Sequence, residues 1–209
     1  MKRILSIMFA SLLVASTAHS GGMIGIKYGS GDLEGTKQSY TAGSTTYAAD
    51  TREKSNQFGA IFAEIEMPQL EDLSIGAEYI PYKATISIDG NSSDSHLELS
   101  DHTTIYGLFM PAAANGAYFK AGYAMADIGG VAANYTSTTV NSFDNSLEGP
   151  MLGAGFQKEL ISSIMGRVEI TYTDYDDVSV TTTSNGSASV KKTGNAELTT
   201  FTVSLSKQF

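Results

Sequence analysis

Cysteine is absent from the 209 residues, so neither a disulfide framework nor a thiolate metal site is available. Tryptophan is absent too, which leaves Tyr (11) and Phe (9) to supply every large amphipathic ring. No long stretch carries apolar residues at the 3.6-residue spacing of a helix, and this argues against a helical protein. Basic residues are few, 13 against 22 acidic, for a net charge of −9. With no basic patch in view, nucleic acid is excluded as a partner on electrostatic grounds.

What is present begins with a targeting signature. "MKRILSIMFASLLVASTAHS" opens with Lys2 and Arg3, continues with an apolar run from Ile4 to Ala15, and ends in small residues. Ala18 and Ser20 hold the two small positions of a cleavage site, which predicts a cut before Gly21. The apolar run is too short to span a bilayer, which needs roughly 20 residues. Residues 1–20 are therefore expected to be a cleaved signal peptide and 21–209 a single exported domain. That domain keeps 11 basic and 22 acidic residues, a net charge of −11.

Beyond Gly21 the chain alternates apolar and polar residues in segments separated by turn-rich stretches, the pattern of strands. Eight are expected, near 22–31, 55–66, 73–87, 97–111, 117–128, 147–159, 165–178 and 196–209. The links after the second, fourth and sixth are short: "MPQLEDL", "AAANG" and "LISSI". Asn115-Gly116 carries the signal of a type I′ hairpin, whose two central residues both take positive φ. The other links are long and rich in Ser, Thr, Asn, Asp and Gly. Strict alternation of long and short links puts every long loop at one end of an up-and-down sheet, as in outer-membrane barrels.

Within the strands one face is bulky and apolar, the other small or charged. Ile24, Ile26 and Tyr28 oppose Gly25, Lys27 and Gly29; Ile75, Ala77 and Tyr79 oppose Ser74, Gly76 and Glu78. Phe119, Ala121 and Tyr123 oppose Tyr118, Lys120 and Gly122. Leu152, Ala154 and Phe156 oppose Gly153, Gly155 and Gln157, and Val168, Ile170 and Tyr172 oppose Arg167, Glu169 and Thr171. A face turned to water has no need of repeated glycine, which weakens a strand. A narrow eight-stranded barrel with its polar face inside does need it, because its bore is only just wide enough for side chains; glycine leaves room there for Lys, Arg and Glu. Closure also satisfies every backbone group, which lipid demands. The expected fold is an all-β, eight-stranded antiparallel up-and-down transmembrane β-barrel. The second and fourth segments are apolar on both faces near their turn ends and do not declare a register.

The stretches "GAEYIP", "YFKAGYA", "LGAGFQ" and "RVEITYTDYDD", with the terminal Phe209, resemble the small outer-membrane β-barrel family that includes the OmpA membrane domain and OmpX. The resemblance implies an outer-membrane location, a monomer in contact with outer-membrane lipid and lipopolysaccharide, and no cofactor. It further implies passage through periplasmic chaperones to the barrel-insertion machinery. In that family the last strand carries the insertion signal, a terminal aromatic preceded by apolar residues at alternate positions; Phe201, Val203, Leu205 and Phe209 match it. Lys207 departs from the usual aromatic and is expected to snorkel to the interface.

On the face assigned to the lumen lie Lys27, Glu78, Lys120, Arg167 and Glu169, joined by Glu64 if its carboxylate points inward. This balanced set is expected to form a network that fills the bore, since Lys or Arg facing lipid at the midplane costs about 2–4 kcal/mol. Hydrated residues near strand ends are the alternative. Tyr28, Tyr79, Tyr123 and Tyr172 suit an interfacial girdle, or ordinary strand packing. His96, Ser100, Asp101 and His102 fall short of a catalytic set, although alternation puts Ser100 and His102 on one face; no catalytic or metal site is expected. Asp174, Asp176 and Asp177 read as a solvated rim before they read as a divalent-cation site. Sequons at Asn91, Asn134 and Asn185 are expected by chance. Three roles remain open: a closed structural barrel of the envelope, a narrow porin-like channel, and an adhesin or phage receptor acting through the long loops.

Overall fold

The computed structural model describes residues 21–81, 84–87, 96–129, 138–143, 146–184 and 189–209. The proposed signal peptide and the sequons at Asn91, Asn134 and Asn185 lie outside these residues. Eight long strands run in sequence: β1 (Gly22–Lys37), β2 (Asp50–Met67), β3 (Leu70–Ile80), β4 (His96–Phe109), β5 (Ala117–Gly129), β6 (Ser146–Ile161), β7 (Ile164–Ser184) and β8 (Val190–Gln208). Each pairs antiparallel with its neighbours in sequence, and β1 pairs with β8 from Met23↔Gln208 to Lys37↔Gly194, which closes the ring. The fold is an eight-stranded antiparallel up-and-down barrel. Short additional strands dress the loop end: Tyr40–Ala42 with Thr45–Tyr47, Ala84–Ser87 on β4, and Thr138–Phe143 on β7.

The expected segments are the cores of these strands, but the pairing runs further toward the loops. β1 extends to Lys37, β2 starts at Asp50, β7 reaches Ser184 and β8 starts at Val190. Polar, Thr-rich sequence continues the ladder there because the adjacent strand already supplies the hydrogen-bonding edge. The third segment consists of two stretches on β4, Leu70–Ile80 and Ala84–Ser87, so that pairing reaches residue 87 as expected; the first ends before Pro81, which has no N–H to offer the ladder.

The short turns lie together at the other end. Ser163 closes the link between β6 and β7 in the left-handed region, φ 63°, while Glu159 Oε1 accepts the Ser163 N–H at 3.0 Å. The link between β4 and β5 is not the two-residue type I′ hairpin that Asn115-Gly116 suggests. Both residues do have positive φ, 51° and 97°, but they close a 3₁₀ turn over Ala112–Ala114, and β4 has already ended at Phe109. Three consecutive alanines and the Asp72 carboxylate, which accepts the Ala112 N–H at 3.1 Å, favour that longer turn.

Polarity is inverted in the turn-side half. Phe119, Leu152 and Ile26 point outward and are 69%, 64% and 63% exposed, whereas Lys27, Glu64, Lys120, Arg167 and Glu169 are buried inside. In the loop-side half the polarity is the ordinary one. Leu33, Leu99, Ala124, Ala126, Ile128, Leu147, Tyr175 and Leu198 form an apolar core within the bore, and Asp32, Glu34 and Asp174 face outward. The sequence reading of a small and polar interior thus holds for half of the barrel only.

Glycine's role inside also differs from the one expected. The space it leaves is taken first by aromatic rings, not by the stems of charged residues. A methyl group at Gly76 would sit 2.5 Å from the Tyr106 ring, and one at Gly25 would collide with the Phe62 ring. These rings settle the register of the two ambiguous strands, with Phe62 and Glu64 of β2 and Tyr106 and Leu108 of β4 turned inward. We expect Gly76→Ala to destabilise the barrel by about 1–3 kcal/mol through overpacking. Gly35→Ala, where a methyl group meets nothing within 4 Å, should leave it unchanged. With no tryptophan to report, the fraction of folded, fast-migrating protein on unboiled gels across a urea series measures both.

Candidate functional site

The candidate site is the charged layer that crosses the bore in the turn-side half. Its charged members come from β1, β2, β3, β5 and β7, each by the inward half of its alternation. Lys27 Nζ lies 2.6 Å from Glu78 Oε2 and 2.5 Å from Glu169 Oε1. Lys120 Nζ lies 3.1 Å and 3.0 Å from the same two oxygens. Two ammonium groups and two carboxylates thus alternate around a four-membered ring of charges. Arg167 forms a second unit, giving Nη1 to Glu64 Oε1 at 2.6 Å and Nη2 to Oε2 at 2.7 Å, the bidentate fork that guanidinium and carboxylate geometry favours.

Neutral groups complete the layer. The Tyr106 hydroxyl donates to Glu64 at 2.7 Å and the Tyr118 hydroxyl to Glu169 at 2.8 Å. Arg167 Nε donates to Gln157 Oε1 at 3.0 Å. Three rings also lie against the cations: Lys120 Nζ is 3.9 Å from the Tyr106 centroid, and the Arg167 guanidinium carbon is 5.2 Å from Phe62 and 5.0 Å from Tyr118. Such contacts stabilise desolvated cations by up to about 2 kcal/mol each. Glu64 is thus matched by Arg167 and a tyrosine hydroxyl, Glu169 by both lysines and a tyrosine hydroxyl, and Glu78 by both lysines, the pairing that a buried charge requires.

The structure brings together Lys27, Glu64, Glu78, Lys120, Arg167 and Glu169. Sequence reasoning missed Gln157, Tyr106 and Tyr118 as members. Parity carried a signal for two of them: Tyr118 stands two residues before Lys120, and Gln157 two after Gly155. On the loop side of the layer a void of about 10 Å³ remains, lined by His102, Thr104, Lys120, Thr171 and Thr200 among others, room for about one water. Above it His102 Nε2 meets the Tyr175 hydroxyl at 2.7 Å, and the apolar core follows.

His102 also corrects an expectation. Ser100 and His102 do not share a face, because β4 bulges between Ser100 and Thr103 with Asp101 at φ 53°. The extra residue shifts the alternation, turning His102 inward and leaving Ser100 outward. Nor do Asp174, Asp176 and Asp177 gather: a second bulge interrupts β7 between Tyr175 and Val178, and among the described residues no group of three His, Asp or Glu could hold a metal ion.

Tyr28, Tyr79, Tyr123 and Tyr172 face outward where the apolar band ends. Three of them donate toward the loop side: Tyr28 to Gln57 at 2.6 Å, Tyr79 to Asp101 at 2.8 Å and Tyr172 to Glu197 at 2.7 Å. Phe201, Val203 and Leu205 are exposed on the outer face of β8. Phe209 is held by Gly21 N to its carbonyl at 2.8 Å and its own N to the Gly22 carbonyl at 2.9 Å.

No protein-family model matches this sequence, and no curated protein matches it either. Solved structures do. The outer membrane protein OprG of Pseudomonas aeruginosa is similar with a TM-score of 0.67 at 11% identity, covering 91% of this chain and 98% of that one. The outer membrane protein AlkL, determined in DMPC lipid bilayers, gives 0.60 at 10% identity, over 91% and 92% of the two chains. The fold is that of outer-membrane β-barrels.

Arg167→Met should destabilise the barrel by about 3–5 kcal/mol, because Glu64 then stays buried without its cation. Adding Glu64→Leu should recover most of that loss. A double-mutant cycle over urea midpoints reads the coupling; additive losses would show that the two groups do not depend on each other.

Proposed function

We propose that this chain is an outer-membrane barrel, related to the OmpA and OmpX group, that does not conduct and serves the envelope as a structural element. The observation that carries the reading is the inverted polarity of the turn-side half. From Ile164 to Tyr172 the outer face of β7 is apolar or glycine, matching the about 9–11 residues a strand needs to cross. Within that span Lys27, Glu64, Glu78, Lys120, Arg167 and Glu169 are paired with one another, and an apolar core follows on the loop side, which supports a closed bore. Tyr hydroxyls mark the outer boundary of the band, and the strands beyond them carry acidic residues outward, as suits chain that has left the lipid.

In this reading residues 1–20 are removed on export and the turns face the periplasm. Phe201, Val203, Leu205 and Phe209 serve as the signal read by the insertion machinery, while lipopolysaccharide surrounds the loop-side half. No catalytic residue is assigned.

A second reading, surface contact through the loops, is favoured by one feature. Tyr40 and Tyr47 stack at 4.8 Å on the hairpin after β1, with Lys192 Nζ 5.0 Å and Lys37 Nζ 5.7 Å from the Tyr40 ring. This partly exposed aromatic and cationic tip is the kind of surface that recognises a partner. A deletion that tests it has to stay within residues 38–49, because Leu33 belongs to the core.

Purified protein in planar bilayers should give no single-channel steps, and protein from an outer-membrane fraction should migrate faster unboiled than boiled, with Gly21 at its N-terminus. Regular conductance steps from the unaltered protein would replace the closed barrel with the narrow channel. Deletion of residues 38–49 should leave the gel shift intact; loss of surface attachment in that variant would establish the receptor reading.

A further inference from the structure

Exposed cations are distributed unevenly over this acidic chain. Lys37, Arg52, Lys54, Lys191 and Lys192 belong to the loop end. At the turn end, outside the bore, the described basic residues are Lys158 on β6 and Lys207 on β8, both exposed. Neither takes part in a salt bridge among the described residues; Lys207 Nζ lies 5.5 Å from the ring of Phe209. Of the nearby carboxylates, Glu159 is engaged with the Ser163 N–H and Glu66 with Gln208.

The two lysines flank the turn-side end of β7. Lys158 pairs across to Gly166 of β7, Gly166 pairs across to Leu205 of β8, and Lys207 stands two residues further on the same face as Leu205. At strand spacing their Cα atoms lie about 12 Å apart on either side of β7. Gly166 is the outward residue between them and has no side chain, and the Leu160 side chain packs over it, where a methyl group would stand 2.9 Å from Leu160 Cδ1. On the loop side of the two lysines an open apolar groove of about 500 Å³ runs along the outer wall, its lining including Ile26, Phe156, Leu160, Gly166, Val203 and Leu205.

We propose that this groove binds one anionic glycerophospholipid of the periplasmic leaflet, its acyl chain along Leu160, Val203 and Leu205 and its phosphate between Lys158 and Lys207. The inference rests on the membrane reading above. Charge complementarity selects the occupant: two lysines without a salt bridge among the described residues, beside the turn-side end of an apolar groove, on a chain with net charge −9, attract an anionic headgroup that the rest of the turn end would repel. The position at the turn end, opposite the loops, favours a glycerophospholipid over lipopolysaccharide.

The test uses the mature barrel in nanodiscs of phosphatidylglycerol mixed with phosphatidylcholine, with retained lipid counted by native mass spectrometry. The unaltered barrel should keep one phosphatidylglycerol in preference to phosphatidylcholine. Lys158→Gln and Lys207→Gln should each lower that preference about fivefold, and Lys191→Gln with Lys192→Gln should leave it unchanged. Gly166→Leu, which pushes Leu160 into the groove with charge intact, should abolish retention while the gel shift confirms folding. Equal retention of the two lipids, unaltered retention in Gly166→Leu, or preferential capture of added lipopolysaccharide would overturn the site and leave the membrane reading standing. Failure to enter either lipid would overturn the membrane reading itself.

Discussion

Closure of the ring through β1 and β8 is the constraint from which the rest of the molecule follows. Once Met23 to Lys37 lie against Gly194 to Gln208, each of the eight long strands has a partner on both sides, and the width of the bore is set by the number of strands. Inward side chains must then fit one another across a fixed gap. Rings occupy the space that glycine vacates, with Phe62 against Gly25 and Tyr106 against Gly76. Charges that enter from five strands have nowhere to go except to each other.

That confinement explains the composition of the charged layer. Two lysines share the carboxylates of Glu78 and Glu169, and Arg167 takes both oxygens of Glu64. In so narrow a space an unmatched charge has no water to turn to, so each member depends on its partners for its place in the interior. Tyr106, Tyr118 and Gln157 supply the remaining hydrogen bonds, and the aromatic faces lie over the cations. The layer is a dense plug of complementary groups, and its specificity lies in geometry more than in net charge.

The barrel changes character partway along its axis. On the turn side, apolar residues face outward and ions inward; on the loop side, leucine, isoleucine and alanine fill the bore and carboxylates face outward. Bulges at Asp101 in β4 and between Tyr175 and Val178 in β7 lie on the loop side of the charged layer, where the alternation is reset. An interior of leucine and alanine and an exterior of carboxylates is what water outside the wall requires. The apolar outer band requires the opposite surroundings, and the tyrosine hydroxyls mark the line between the two.

Strict alternation in β1, β3, β5, β6 and β7 made their faces legible in the sequence, because a period of two assigns every side chain once one is assigned. It failed for β2 and β4, where Phe62, Tyr106 and Leu108 are apolar yet face inward and alternation cannot tell a ring in the bore from one in lipid. It failed again past Asp101, because an inserted residue shifts the alternation without leaving a mark in the composition. The sequence by itself determined the number of strands, the end at which the long links gather and the parity of the buried charges, all of which are local properties of the chain. Only the tertiary structure decided how far the ladders extend, that the loop-side bore is apolar, and which cation meets which carboxylate. Those depend on the stagger between strands, and stagger is set by closing the whole ring at once.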